Sequence, residues 1–402
     1  MKVRLSTINY FYILLAVIWL PFQKGILIID GAARSLIVFT ILILVINLTN
    51  KMSRSLIFSK PISIWCILII FSAGNLYLKG YTGESTIVEF IILQLILPFN
   101  VLFLTTREII VNKFKTVSFI FKVFLLHFFL SVIAYGSSLL DTSLRHEDSF
   151  VNILALNIIF LLFFGVLCYL HKILKIKIVL LIVPITIFII SVMQTRKALG
   201  ATLIFLFFSL FSRFKFTVSK LLKLSFLLIV FYIGANYLLE NSKIGERFKE
   251  IKTIGYKSNT TDIEALDFLG DRAYFYVEGW RLFKKNPITG IGLTNFINQS
   301  EYNITIHSEH MVQLTENGII GLLIYLIFYV ILFKGLIRNI WNNKQETNYY
   351  TFLLGGLLGV ILISFTAWIY PFPQYFVLFG VIIGYIKLAD FEKKLKIKHN
   401  IT

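Results

Sequence analysis

The sequence predicts an all-α, polytopic membrane protein. Three observations carry that prediction. Only 15% of the 402 residues are charged and 57% are hydrophobic, whereas a soluble domain carries about 25% charged residues. Mean hydropathy is +0.81. The apolar residues gather in runs of roughly 20, the length of a membrane-crossing helix, and the loops between them alternate in charge.

The runs fall near residues 8–28, 34–49, 62–79, 85–104, 117–135, 151–170, 177–193, 199–212, 221–239, 318–334, 350–369 and 373–388. They predict about twelve spans, of which 199–212 is the shortest. The positive-inside rule orients them. Basic clusters recur in alternate loops: Lys51, Arg54 and Lys60; Arg107, Lys113 and Lys115; Lys172, Lys175 and Lys177; Arg213, Lys215, Lys220 and Lys223; Lys334, Arg338 and Lys344. Lys2 and Arg4 precede the first span, and Lys387, Lys393, Lys394, Lys396 and Lys398 close the chain. Both termini are therefore expected in the cytoplasm. The net charge of +18 follows from this topology and needs no nucleic-acid partner.

The start of the chain is similar to a signal peptide, but no small-x-small cleavage site follows. Pro21-Phe22-Gln23-Lys24 leads into more apolar sequence, so a retained first span is expected. Cys66 and Cys168 both fall within spans and read as inert core thiols. No solenoid period, heptad or low-complexity tract is present.

One long segment, Glu240 to His310, is too polar to cross a bilayer, yet apolar runs flank it. It divides the chain into spans one to nine (1–239), a large loop (240–317), and spans ten to twelve with a basic tail (318–402). The loop carries acids and bases in near balance, as 136–150 does with Asp141, Arg145, Glu147 and Asp148. Both loops are expected outside the cytoplasm. A membrane protein that gathers its polar side chains in one loop is expected to do its chemistry there.

Within the loop, Gly270 to Gly292 predicts an amphipathic helix and a turn. Asp271 suits the N-cap, and Lys284 and Lys285 suit the C-terminal dipole. Pro287 stops the helix, and Gly290 and Gly292 permit a tight turn. Arg272, Tyr276, Trp280 and Phe283 share one face. Taken alone, such a helix reads equally as a packing device. His307 and His310 lie three apart, before the span that begins at Gly318. A zinc site would need His127 or His146 from elsewhere, whereas proton transfer needs a single imidazole; two interfacial polar residues are the plainer reading. Arg196-Lys197 breaks the positive-inside rule at the outer end of span seven. It reads either as a pair snorkelling to headgroups or as an anion site. Glu89, a carboxylate deep in the fourth span, is a candidate on its position alone; it reads otherwise as lying near the outer headgroups or pairing with a partner such as Lys79.

In order and spacing these pieces resemble the O-antigen ligase/polymerase family of bacterial membrane glycosyltransferases. The resemblance runs from about Gln194 to Leu323. It rests on Thr195-Arg196, on Arg272-x-x-x-Tyr276 followed by Asn286-Pro287-Ile288-Thr289-Gly290-Ile291-Gly292, on His307-Ser308-Glu309, and on Glu316-Asn317-Gly318-Ile319-Ile320-Gly321. Tyr276 stands where a tryptophan is common, and Ser308 where an asparagine often follows the histidine. The resemblance implies a GT-C-like helical fold. It also implies an inverting, metal-independent transfer of a glycan from undecaprenyl pyrophosphate to a sugar hydroxyl, with no cofactor. His307 would be the base, and Arg196 and Arg272 would bind the donor pyrophosphate. Glu309 or His310 would orient the imidazole, with Tyr276, Arg281, Lys197 and Glu89 as supporting candidates. The implied partners are the lipid-linked oligosaccharide, an acceptor glycan or lipid A core, membrane lipids and a chain-length regulator. The implied location is the bacterial inner membrane. A repeat-unit polymerase is the first expectation and a ligase the second. A flippase for lipid-linked oligosaccharide is the reading from another class, although repeated halves and broken midplane helices are not evident in the sequence.

Overall fold

The structure is a computed structural model that describes residues 4–21, 32–80, 86–140, 150–193, 196–211, 272–300, 306, 308–367, 369 and 372–399. Among these residues the ordered elements are all helical. They are α1 (Leu5–Pro21), α2 (Ala32–Thr49), α3 (Lys51–Ile57), α4 (Lys60–Lys79), α5 (Ile87–Phe90), α6 (Leu97–Leu140), α7 (Phe150–Leu170), α8 (Ile176–Met193), α9 (Arg196–Phe211), α10 (Arg272–Lys285), α11 (Phe296–Gln299), α12 (Glu309–Glu316), α13 (Gly318–Asn342), α14 (Thr347–Ser364) and α15 (Pro373–His399). A π-helical turn, Ile91–Ile96, joins α5 to α6.

Five described helices are long and apolar enough to cross a membrane, or six if the pair bent by 105° at Asn50 is one span. Within the described residues α1, α7, α8 and α9 contribute four further, shorter apolar stretches. The expected count of twelve is thus not established, and the ninth expected span, 221–239, lies outside the described residues. Two expected spans, 85–104 and 117–135, fall in one continuous run that breaks at Asn112 (φ −156°, ψ 88°). The Asn112 side chain accepts from the Lys115 N–H at 3.0 Å, which caps the second half. The expected span 350–369 stops at Ser364, and residues beyond it serve the site described below.

Close packing of small residues holds the bundle together, as expected where helices meet in lipid. A Cβ on Gly380 would lie 2.6 Å from the Leu102 carbonyl oxygen, and one on Gly384 would lie 2.6 Å from Ile109, so α15 presses directly on α6. Trp65 of α4 is fully buried among Tyr325, Phe328, Phe376 and Phe379. Helices α9 and α14 run antiparallel in close contact: Phe208 lies against Gly355, Phe205 against Gly359, and Gly200 against Leu362.

Loops gather at two ends. At one end Lys113 pairs with Glu346 at 2.6 Å, and His171 stacks on Tyr349 at 4.2 Å and bonds to Tyr385. Arg338 pairs with Asp390 at 2.6 Å. Buried Arg107 bonds to Glu108 and to Ser53. At the other end the segment 286–296, helix α12 and the turn after α14 meet the end of α4.

Candidate functional site

The glycine motifs form a backbone clasp. The main-chain N–H groups of Ile291 and Gly292 donate to the carbonyls of Thr315 and Glu316, at 3.0 and 2.8 Å. In return Ile319 and Ile320 donate to Pro287 and Ile288, at 2.9 and 3.3 Å. The strands of the clasp approach so closely that side chains do not fit between them. A Cβ at Gly290 (φ +70°) would lie 2.4 Å from the Glu316 carbonyl carbon, and one at Gly318 (φ +65°) 2.3 Å from the Ile288 oxygen. Only glycine meets both the left-handed backbone and the contact. Buried Asn75 of α4 donates to the Thr289 and Glu316 carbonyls, at 2.6 and 2.9 Å. Asn295 donates to Gly80 at 2.9 Å. These amides latch the clasp to the end of a spanning helix.

Helix α12 ends in this clasp. Ser308 caps it, with its Oγ accepting from the Met311 N–H at 3.5 Å. Helix α10 packs across α12 through Gly279, whose carbonyl accepts from Thr315 at 3.2 Å. Beyond Ser364 the chain turns back, and three candidates meet it there. Tyr276 donates its hydroxyl to the Phe365 carbonyl at 2.8 Å. The His310 ring lies 4.3 Å from that of Phe365, with Nε2 2.9 Å from Ser364 Oγ. Glu309 donates its N–H to the Ala367 carbonyl at 3.1 Å and accepts from the Ile369 N–H at 2.9 Å. The antiparallel register of α9 on α14 brings the first turn of α9, with Arg196 and Lys197, to the same end. Gly200 already meets Leu362, and one further turn reaches past Ser364.

Arg196 and Arg272 are described as the first residues of α9 and α10, with their side chains outside the description, and His307 and His146 lie outside the described residues. Asp271 does too; α10 ends at Lys285, before Pro287, as expected. Glu309 and Tyr276 join the site. Burial pushes the His310 imidazole down to about 4, so it is neutral at neutral pH and set into the helix wall. Arg281 is turned to other work: it makes a two-pronged pair with the buried Glu278 carboxylate one turn earlier. Glu89 is not deep in a span. It stands in the first turn of α5, where Thr86 and Glu89 form a reciprocal capping box. Trp280 is 49% exposed, outside the packed face of α10. Among the described residues no group of three or more His, Cys, Asp or Glu side chains could hold a metal ion.

Sequence reasoning missed Asn75, Asn295, Gln313 and Glu316. Glu316 is buried, and its carboxylate accepts from the Phe296 N–H at 3.4 Å. Loss of solvent pushes it up to about 8, against partial compensation from the Thr294 and Phe296 N–H groups. A buried carboxylic acid thus sits inside the clasp at neutral pH. The one available signal was its place in Glu316-Asn317-Gly318, which reads as helix-entry sequence.

Residues 180–326 match the family model described as O-Antigen ligase. Over these residues the chain is similar to that family. The matched residues take in α9, α10, the clasp, α12 and the first turns of α13, so both glycine motifs and every helix that converges below Ser364, except α14 itself, fall within them. No curated protein matches the chain. The apolar helices fit a helical, multi-pass membrane protein, and residues 180–326 are similar to the O-antigen ligase family.

Proposed function

We propose that the protein transfers a glycan from undecaprenyl pyrophosphate to a sugar hydroxyl at the non-cytoplasmic face of the bacterial inner membrane. One observation carries this reading. Tyr276, Glu309, His310 and the first turn of α9, all within the residues that match the O-antigen ligase model, converge on the chain just after α14.

Arg196 and Arg272 bind the donor pyrophosphate in this reading. Each opens a helix, where the dipole disfavours a cation and the free N–H groups favour an anion. A guanidinium there makes sense beside a phosphate, whose oxygens take up both kinds of donor. His307 removes the proton from the acceptor hydroxyl as that oxygen attacks C1 of the donor sugar, and the bond from C1 to the pyrophosphate breaks with inversion. The electron pair leaves on lipid pyrophosphate, where the two guanidinium groups stabilise the developing charge. Glu309, one residue past Ser308 and firmly held, orients the imidazole. The activated donor drives the reaction, and neither metal nor cofactor is needed.

Repeat-unit polymerisation is the first reading. Ligation to lipid A core is the second, favoured by the description of the matching family model. The test is deletion of the gene, with complementation by wild type and His307→Ala, and analysis of the glycans. Single-repeat caps on the lipid core mark a lost polymerase. Full chains stranded on undecaprenyl pyrophosphate mark a lost ligase. Precursor retained on the cytoplasmic leaflet, or full complementation by His307→Ala, overturns the enzyme reading.

A further inference from the structure

Glu309, Gln313 and Asn317 are spaced four apart and lie along one face of α12. All three are fully buried. Asn317 Nδ2 donates to Gln313 Oε1 at 3.0 Å, and Gln313 Nε2 donates to Glu309 Oε1 at 2.8 Å. The Ile369 N–H reaches Glu309 Oε2 at 2.9 Å. Every donor in the line points towards the carboxylate. Both oxygens of Glu309 accept, which is the pattern of the ionised group. Each amide polarises the next, so the bond that reaches Glu309 is stronger than an isolated one.

Packing alone does not explain this ladder. Leucines at 313 and 317 would fill a helix face at no polar desolvation cost. Three fully buried polar side chains in a single file, all oriented one way, specify the state of the group at the end of the file. That group stands in the first turn of α12, where the helix dipole also favours negative charge.

We propose that Gln313 and Asn317 are positioning residues for glycan transfer, holding ionised and in one orientation the carboxylate of Glu309, two residues along the chain from the proposed base. The role in transfer rests on the function proposed above; the ladder itself rests on its hydrogen bonds. Among the described residues, the titratable groups that interact with Glu309 through charge are Glu316 on α12, Tyr325 and Tyr329 on α13, and Tyr375 on α15. Their contribution is common to wild type and to ladder variants, so it cancels in the comparison.

The test uses full-length protein in proteoliposomes with lipid-linked glycan, and two variants. Gln313→Met keeps the volume and removes the amide. Asn317→Leu removes only the second rung, and serves if the first variant does not fold. Gln313→Met is expected to lower kcat about ten- to hundredfold with KM for the donor little changed, and to move the acid limb of the pH–rate profile upwards. Asn317→Leu is expected to act in the same direction with a smaller effect. Independently of turnover, infrared difference spectra against Glu309→Gln should show a protonated carboxyl band that grows at neutral pH in Gln313→Met. An unmoved pH profile and an unmoved band in a folded variant overturn the ladder. A band that moves in a protein with no transfer activity overturns the proposed function and keeps the ladder.

Discussion

The two ends of the bundle are held by different chemistry. At one end side chains bond to side chains: Lys113 to Glu346, Arg338 to Asp390, and His171 to Tyr385. At the other end side-chain bonds such as Gln313 to Glu309 are joined by main chain bonded to main chain in the clasp of 287–292 on 315–320, and by the latches Asn75 and Asn295, whose amides bond to carbonyls. Long charged side chains tolerate small displacements, and an exposed pair contributes little. A backbone clasp with no room for a Cβ allows one geometry. The end that carries the O-antigen ligase motifs is thus the end whose geometry is over-determined, which is what positioning reacting groups demands.

That comparison can be broken at several points. The largest effect is expected from His307→Ala, with glycan transfer reduced by about 10²–10⁴-fold in a protein that still inserts and melts normally. Transfer assays alongside thermal melts in detergent check it. Arg196→Ala and Arg272→Ala should each reduce donor turnover by about 10²-fold or more; unchanged kinetics in either variant removes that arginine from the site. Next come the clasp glycines. Gly290→Ala and Gly318→Ala force a Cβ into backbone at 2.4 and 2.3 Å, and each should cost about 2–4 kcal/mol. A melting temperature equal to wild type would show that the clasp yields. Asn75→Leu leaves two carbonyls without their latch and should cost about 1–3 kcal/mol. At the opposite end Arg338→Ala removes a half-exposed pair and should change stability by less than about 1 kcal/mol, with transfer unaffected.

A pH series sharpens the contrast. The Glu316 carboxyl, ordinarily near 4.5, is held up to about 8 in the folded protein. Between those values the folded state binds more protons than the unfolded one, so stability declines as pH rises through the window. Glu316→Gln should flatten the decline. If the slope is the same in both proteins, the acid is not buried as described.

Much of this was legible beforehand, for reasons visible in single residues. Helix α10 stops at Lys285 before Pro287 because dipole and proline rules act within a few residues. Gly290 and Gly292 take the left-handed backbone expected of them. Other parts were not legible. Glu89 read either as a carboxylate deep in a span or as one near the headgroups, and Thr86, three residues earlier, draws it into a capping box at a helix start. Arg281 looked available for an anion, but Glu278 holds it. Asn75 lies more than 200 residues from the carbonyls it latches, and nothing local to it signals that pairing.

By itself the sequence determined the solvent and the local grammar: helices in lipid, their basic and acidic loops, the stop of α10, and the family's motifs in order. Those depend on composition, periodicity and neighbours along the chain, which a sequence displays directly. The tertiary structure alone decided which carbonyls the glycines approach and which amides face Glu309. It also brought the ends of α9, α10 and α12 together below Ser364. Those outcomes depend on distances between segments far apart in sequence, and they are set only when the helices pack.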